Sequence, residues 1–220
     1  MSTPVSIVLL GFVLGMRHAT DPDHVVAVTT IVARQRRAGA AALIGLLWGI
    51  GHTLTIVAVG GVIIVFGVAI PPRLGLGMEL SVALMLIVLG LLNVAGIGRW
   101  IAGTAAHVRP RYVLRPLVVG VVHGLAGSAA VALLVLAAIP DPLWGIAYLL
   151  VFGAGTIAGM MLVTAASALP FRYTVRRFAA LNRHLVLASG LASVGFGLFL
   201  VYRIGMVDGL FTGLPHWTPE

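Results

Sequence analysis

Gly15-Met16-Arg17-His18-Ala19-Thr20-Asp21-Pro22-Asp23-His24-Val25 puts five ionisable side chains into a stretch that is otherwise apolar from Val5 to Ala33. A helix needs about 20 apolar residues to cross the hydrocarbon of a bilayer. The midpoint of that stretch is Ala19, so the cluster falls at mid-depth of a first span. Charged groups there cost several kcal/mol each, must face protein or a water-filled cavity, and mark function by default. Pro22 has no N–H and clashes with the preceding turn, so the helix is expected to break here and free the carbonyls near residues 18 and 19. Backbone freed in this way commonly lines a site. On an intact helix His18, Asp21 and His24 step three residues at a time, and unwinding lets Asp23 join them. Two imidazoles with carboxylates suit a divalent first-row metal such as Ni, Co, Zn, Mn or Fe, not Ca or Mg. The plainer reading is a structural ion-pair network in which Arg17 pairs with Asp21 or Asp23.

The rest of the chain fits a membrane setting. Of 220 residues, 60% are hydrophobic and 9% charged, against about 25% charged in a soluble domain. Apolar runs at about 5–33, 40–66, 78–98, 113–138, 143–169 and 184–206 predict six spans in one transmembrane domain over 1–220, with 207–220 a short external tail. All 14 basic residues are Arg. Eleven lie after spans one, three and five: Arg34, Arg36, Arg37, Arg99, Arg109, Arg111, Arg115, Arg172, Arg176, Arg177 and Arg183. The opposite side has Arg73 and Arg203, with Glu79, Asp141, Asp208 and Glu220. Positive charge marks the cytoplasmic side, so both termini are expected outside the cytoplasmic (inner) membrane. Arginine parcelled among short loops speaks for lipid headgroups, not nucleic acid. The N-terminus lacks a basic n-region and a small-residue cleavage site, so it does not read as a cleavable signal. With no cysteine, any metal must be held by nitrogen and oxygen.

The two halves are similar. Gly15-Met16-Arg17-His18-Ala19 lines up with Gly120-Val121-Val122-His123-Gly124, and Val26-Ala27-Val28 with Val131-Ala132-Leu133. Trp48-Gly49-Ile50-Gly51-His52 lines up with Phe152-Gly153-Ala154-Gly155-Thr156, while spans three and six agree loosely through Gly90 and Gly197. Repeat one covers about 5–98 and repeat two about 113–206. Three spans per repeat means the second is inverted, an architecture of many secondary transporters with a midplane site. His52, His123 and Asn93 lie at similar depth and join Arg17 as further candidates. His107, His184 and His216 fall in loops or tails and receive no role.

His18-Ala19-Thr20-Asp21-Pro22-Asp23-His24 resembles the His-x4-Asp-His signature of the nickel/cobalt transporter family (NiCoT, or NicO), usually Arg-His-Ala-x-Asp-Ala-Asp-His. Arg17, His18, Ala19, Asp21, Asp23 and His24 match it, and Pro22 replaces Ala. Gly49-Ile50-Gly51-His52-Thr53 is similar to the family's Leu-Gly-His-Ser/Thr segment, and Ser189–Gly197, with Val194-Gly195-Phe196-Gly197, is similar to a later one. The resemblance implies a secondary carrier of Ni2+ or Co2+ in the cytoplasmic membrane, with His18, Asp23 and His24 essential. Better-studied members have eight spans with the signature in the second. This shorter form resembles the urease-accessory-like branch.

Three rival readings use the same letters. His-x4-Asp is also a glycerolipid acyltransferase pattern, with His18 as base and Asp23 orienting it, but that chemistry sits at a membrane surface. A rhomboid-like hydrolase would use Gly127-Ser128 with a histidine in span six, and span six has none. An efflux carrier of the same fold often has a His-rich cytoplasmic loop, and the loops at 99–112 and 170–183 hold only His107. The expectation is therefore an all-α, six-span, inverted-repeat carrier, not an enzyme. It takes up nickel or cobalt through His18, Asp21, Asp23, His24 and His52, with Arg17, Asn93 and His123 along the pathway. The metal ion is cargo and no cofactor is permanently bound. The bilayer is the other partner, with room for a homo-oligomer, and protons and metal compete for the same lone pairs.

Overall fold

The computed structural model describes residues 4–35, 37–66, 70–96, 110–125, 139, 141–213 and 215–217. Arg36, the loop carrying Arg99, His107 and Arg109, and 126–138, with Gly127, Ser128 and the repeat match Val131–Leu133, lie outside the described residues. Among the described residues the chain is all-helical and without strands. It forms α1 (Pro4–His18), α2 (Pro22–Val32), α3 (Ala38–Phe66), α4 (Pro72–Val94), α5 (Pro110–His123), α6 (Pro142–Arg177) and α7 (Ala179–Tyr202), then a π-helical turn, Arg203–Val207.

Four helical stretches are long and apolar enough to cross a membrane: Ala38–Ile63, Pro72–Val94, Pro142–Thr174 and Ala180–Val207. Helices α1 and α2 are shorter. At 1.5 Å per residue α2 covers roughly half of a 30 Å hydrocarbon core and α1 about three quarters, so the apolar run 5–33 is two shorter helices in tandem. Proline begins several helices because its missing N–H is one of the donors a first turn leaves unpaired. Pro22, Pro72 and Pro142 open α2, α4 and α6 in this way. Asp141 caps α6 by accepting from the Leu143 N–H at 2.9 Å.

Large apolar side chains point outward along every long helix, among them Leu54, Leu84, Leu150, Leu162, Leu191 and Phe199. Water would penalise such a surface and lipid does not. Inside, α1 and α3 pack on α6, α3 also on α5, and α4 on α7. Small residues set these distances, as expected where helix association relies on close packing. A Cβ on Gly15 would meet the Phe152 carbonyl and the Thr156 N–H of α6, and a Cβ on Gly120 would meet the Trp48 carbonyl and the His52 N–H of α3. Those contacts exchange residues that the sequence alignment pairs: Gly15 with Gly120, Trp48 with Phe152, His52 with Thr156. The same reciprocity holds between α4 and α7. Gly90 faces the Gly190 carbonyl and the Val194 N–H, while Gly197 faces the Ala83 carbonyl and the Ile87 N–H.

One expectation needs correction. The break across Arg172–Arg183 is not a loop, because α6 continues through Pro170 to Arg177 and α7 begins at Ala179. Charged side chains end the apolar run without ending the helix. The turn is made at Phe178 alone, whose φ of −142° leaves the helical region.

Candidate metal site

The site begins where α1 stops. Beyond His18 the backbone makes one tight turn: the Thr20 N–H donates to the Arg17 carbonyl at 2.8 Å and the Asp21 N–H to the His18 carbonyl at 3.1 Å. A residue preceding proline is pushed toward extended backbone, and Asp21 has ψ 146°. Helix α2 restarts at Pro22, with the Val25 N–H on the Asp21 carbonyl at 3.0 Å. The break falls where Pro22 led us to expect it, but the His18 carbonyl is not left free, since it accepts the Asp21 N–H. The turn uses it, and side chains, not freed backbone, furnish the cluster.

Four histidines from three sequence regions converge here. The His18 and His52 Nε2 atoms are 2.9 Å apart. His18 Nδ1 lies 2.7 Å from Asp21 Oδ2, His24 Nδ1 3.0 Å from Asp23 Oδ1, and His123 Nε2 2.9 Å from Asp23 Oδ2. An ionised carboxylate only accepts hydrogen bonds, so each of these imidazoles donates to its aspartate. That fixes the tautomer and turns a lone pair on the other nitrogen away from the acid, the usual arrangement of metal-binding histidines. His24, His52 and His123 are fully buried. His24 Nε2, His52 Nδ1 and His123 Nδ1 have no hydrogen-bond partner among the described residues. Buried nitrogens of this kind are costly unless something else engages them. The donor atoms form two overlapping triads, His18/His24/His52 and Asp23/His24/His123, each within 4.8 Å.

Helix packing delivers the two distant histidines. His52 projects from α3 where Gly51 lies against the Leu117 carbonyl of α5 and Gly124 against the His52 carbonyl. Thr55 ties the same helices by donating its hydroxyl to the Val121 carbonyl at 3.1 Å. The C-terminal ends of α1 and α5 both stop at the cluster, at His18 and His123. The C-terminal end of a helix carries partial negative charge, which favours a cation between the two.

The other sequence candidates fall elsewhere. Arg17 is exposed and pairs with neither acid among the described residues, so histidines, not the arginine, hold Asp21 and Asp23. Asn93 is buried but apart from the cluster. Its side-chain N–H group donates to the Val186 carbonyl and to Ser189 Oγ, and it receives bonds from Arg34. It is a clamp joining α4, α7 and the turn that follows α2. His184 is exposed on α7 and contacts the Ala180 carbonyl. Sequence reasoning passed over Trp48. Its ring is stacked on His24 at 6.0 Å between centroids and stands edge-on to His123 at 5.4 Å. Its spacing was the available signal: Trp48 precedes His52 by four residues, on one helix face.

A helical membrane protein with an imidazole-rich, acid-backed cluster buried among its half-helices is the class these features define. A family model described as "High-affinity nickel-transport protein" (NicO) matches residues 5–113. The urease accessory protein UreH of Bacillus sp. (strain TB-90) is 34% identical, over 94% of this chain and 95% of that protein. No solved structure matches. The chain belongs to the NicO family, and it is a metal-ion transport protein of the membrane, not an enzyme.

Proposed function

We propose that this chain is a secondary carrier that takes up Ni2+ or Co2+ across the cytoplasmic membrane. The observation that carries the reading is the convergence of the buried His18, His24, His52 and His123 on Asp21 and Asp23, which are partly buried. A shell dominated by imidazole with nearby carboxylates favours first-row divalent ions over the oxygen-seeking Ca2+ and Mg2+. His18, His24 and His52 offer nitrogen lone pairs, while Asp21 and Asp23 orient the rings or bind directly. An ion entering this site loses its water and competes with protons for the imidazole lone pairs, so binding is expected to weaken as pH falls.

The reciprocal glycine contacts of α1·α6 with α5·α3, and of α4 with α7, support two inverted three-span repeats. A two-fold axis in the membrane plane generates such exchanges, and rocking of the repeats around a fixed midplane site gives alternating access. The arginine distribution supports termini on the outer side. Cellular nickel and cobalt accumulation, measured with the wild-type chain and with His24→Ala, tests the proposal. Metal above the vector control with wild type and at control level with His24→Ala is the expected result. Metal below control would reverse the direction to efflux, and no dependence on the wild-type chain would remove the transport reading.

A further inference from the structure

The donor atoms fall into two groups, His18/His24/His52 and Asp23/His24/His123, each within 4.8 Å and joined through His24. The His24 ring centroid lies 4.6 Å from that of His18 and 4.2 Å from that of His123. Two donors that bind one ion at roughly 2.0–2.1 Å, at angles of about 90–110°, lie about 2.9–3.4 Å from one another. Three pairs already have that spacing: His18–His52 at 2.9 Å on one side, and Asp23–His123 at 2.9 Å and Asp23–His24 at 3.0 Å on the other. A metal ion can replace the proton now shared across the His18–His52 and Asp23–His123 pairs, while His24 keeps its Nδ1 proton on Asp23 and offers the lone pair of Nε2.

We propose that the cluster is two adjacent coordination positions, with His24 common to both, and that the ion passes between His18–His24–His52 and Asp23–His24–His123 during transport. This rests on the carrier reading above and assigns His123, beyond the match of the family model at residue 113, a direct ligand role. The ends of the two half-helices explain the pairing. At the end of α1 the Ala19 and Thr20 N–H groups bond the Gly15 and Arg17 carbonyls. At the end of α5 the Gly124 and Leu125 N–H groups bond the Gly120 and Val122 carbonyls in the same pattern. Under the inverted topology α1 reaches the cluster from one face of the membrane and α5 from the other. One position is then nearer each face, and His24, between them, keeps hold of the ion throughout. The exchange needs no co-reactant. Bonds from the ion to His18 and His52 break as bonds to a carboxylate oxygen of Asp23 and Nε2 of His123 form. A neutral His123 frees Nε2 by moving its proton to Nδ1, the nitrogen without a hydrogen-bond partner.

Co2+ binding to the purified full-length protein tests this, followed by equilibrium dialysis and visible absorption, with uptake measured in parallel in proteoliposomes. Glutamine at these positions keeps a hydrogen-bonding group of similar reach but is a poor ligand for Co2+. His52→Gln and His123→Gln are each expected to bind one Co2+ per chain with visible spectra that differ from one another, while uptake falls at least about tenfold. The double variant and His24→Gln, which remove both positions, are expected to lose binding by at least about 100-fold. A His123→Gln protein with wild-type spectrum and wild-type uptake would overturn the two-position proposal and leave the carrier reading intact. So would a double variant that binds as tightly as the weaker single variant. A wild-type protein that binds neither Co2+ nor Ni2+ would instead overturn the carrier reading itself.

Discussion

Asn93 and the histidines show what a buried polar residue does when its partners are known. The Asn93 side chain bonds Val186 and Ser189 of α7 and Arg34 in the turn after α2. Its replacement by alanine removes these bonds, each worth about 0.5–1.5 kcal/mol. Asn93→Ala is therefore expected to lower the melting temperature in detergent while Ni2+ affinity stays within about twofold, since no cluster residue touches it. A loss of affinity as large as that of a histidine variant would place Asn93 in the pathway after all. Burial alone did not separate these roles in the sequence, because Asn93 and His123 read alike as polar letters within apolar runs. His18, Asp21, Asp23 and His24 were legible because one short run contains them all. His52 and His123 come from α3 and α5, and only packing brings them in. Trp48 was passed over because its signal was only a four-residue spacing from His52, which many apolar residues share with a polar one.

Among the elements, the helix pair α1·α6 depends on close approach more than on side-chain bulk. A Cβ at Gly15 would collide with the backbone of Phe152, and backbone cannot rotate away as a side chain can. Overpacking costs typically 1–3 kcal/mol and occasionally more. Gly15→Leu is expected at the upper end, read as a lower melting temperature and a loss of monodisperse protein in size-exclusion chromatography. Gly77 in α4 is the control, since nothing lies within 4 Å of its missing Cβ. Gly77→Leu should be neutral or slightly stabilising, because leucine is the better helix former by about 0.8–1 kcal/mol. Equal behaviour of the two variants would mean that the glycine seam is not what sets the spacing. The break between α1 and α2 was legible through Pro22 and the charges around it. The end of α6 was not. Arginine at 172, 176 and 177 signals the edge of the membrane, whereas the helix continues until the backbone itself turns at Phe178.

For the whole molecule, topology follows from where arginine is placed, and it can be tested without removing native thiols because the chain has no cysteine. Single reporters at Arg37→Cys and Arg73→Cys should respond oppositely to a membrane-impermeant maleimide in intact cells. Residue 73 is expected to label and residue 37 to label only after the membrane is permeabilised. The reverse pattern would invert the molecule and with it the direction assigned to each half-helix. The repeat was visible in sequence as a few glycine, histidine and aromatic matches. That Gly15 packs on the backbone of α6 and Gly120 on that of α3 emerges only when the helices are assembled.

The direct test is X-ray absorption at the nickel edge of the purified, Ni2+-loaded protein. Nitrogen or oxygen neighbours at about 2.0–2.1 Å, with the outer-shell scattering of two or more imidazoles, are expected for an ion held by His18, His24 and their partners. That signature should vanish in His24→Ala. A spectrum of oxygen ligands alone, unchanged by the substitution, would contradict the claim that the buried histidines hold the ion.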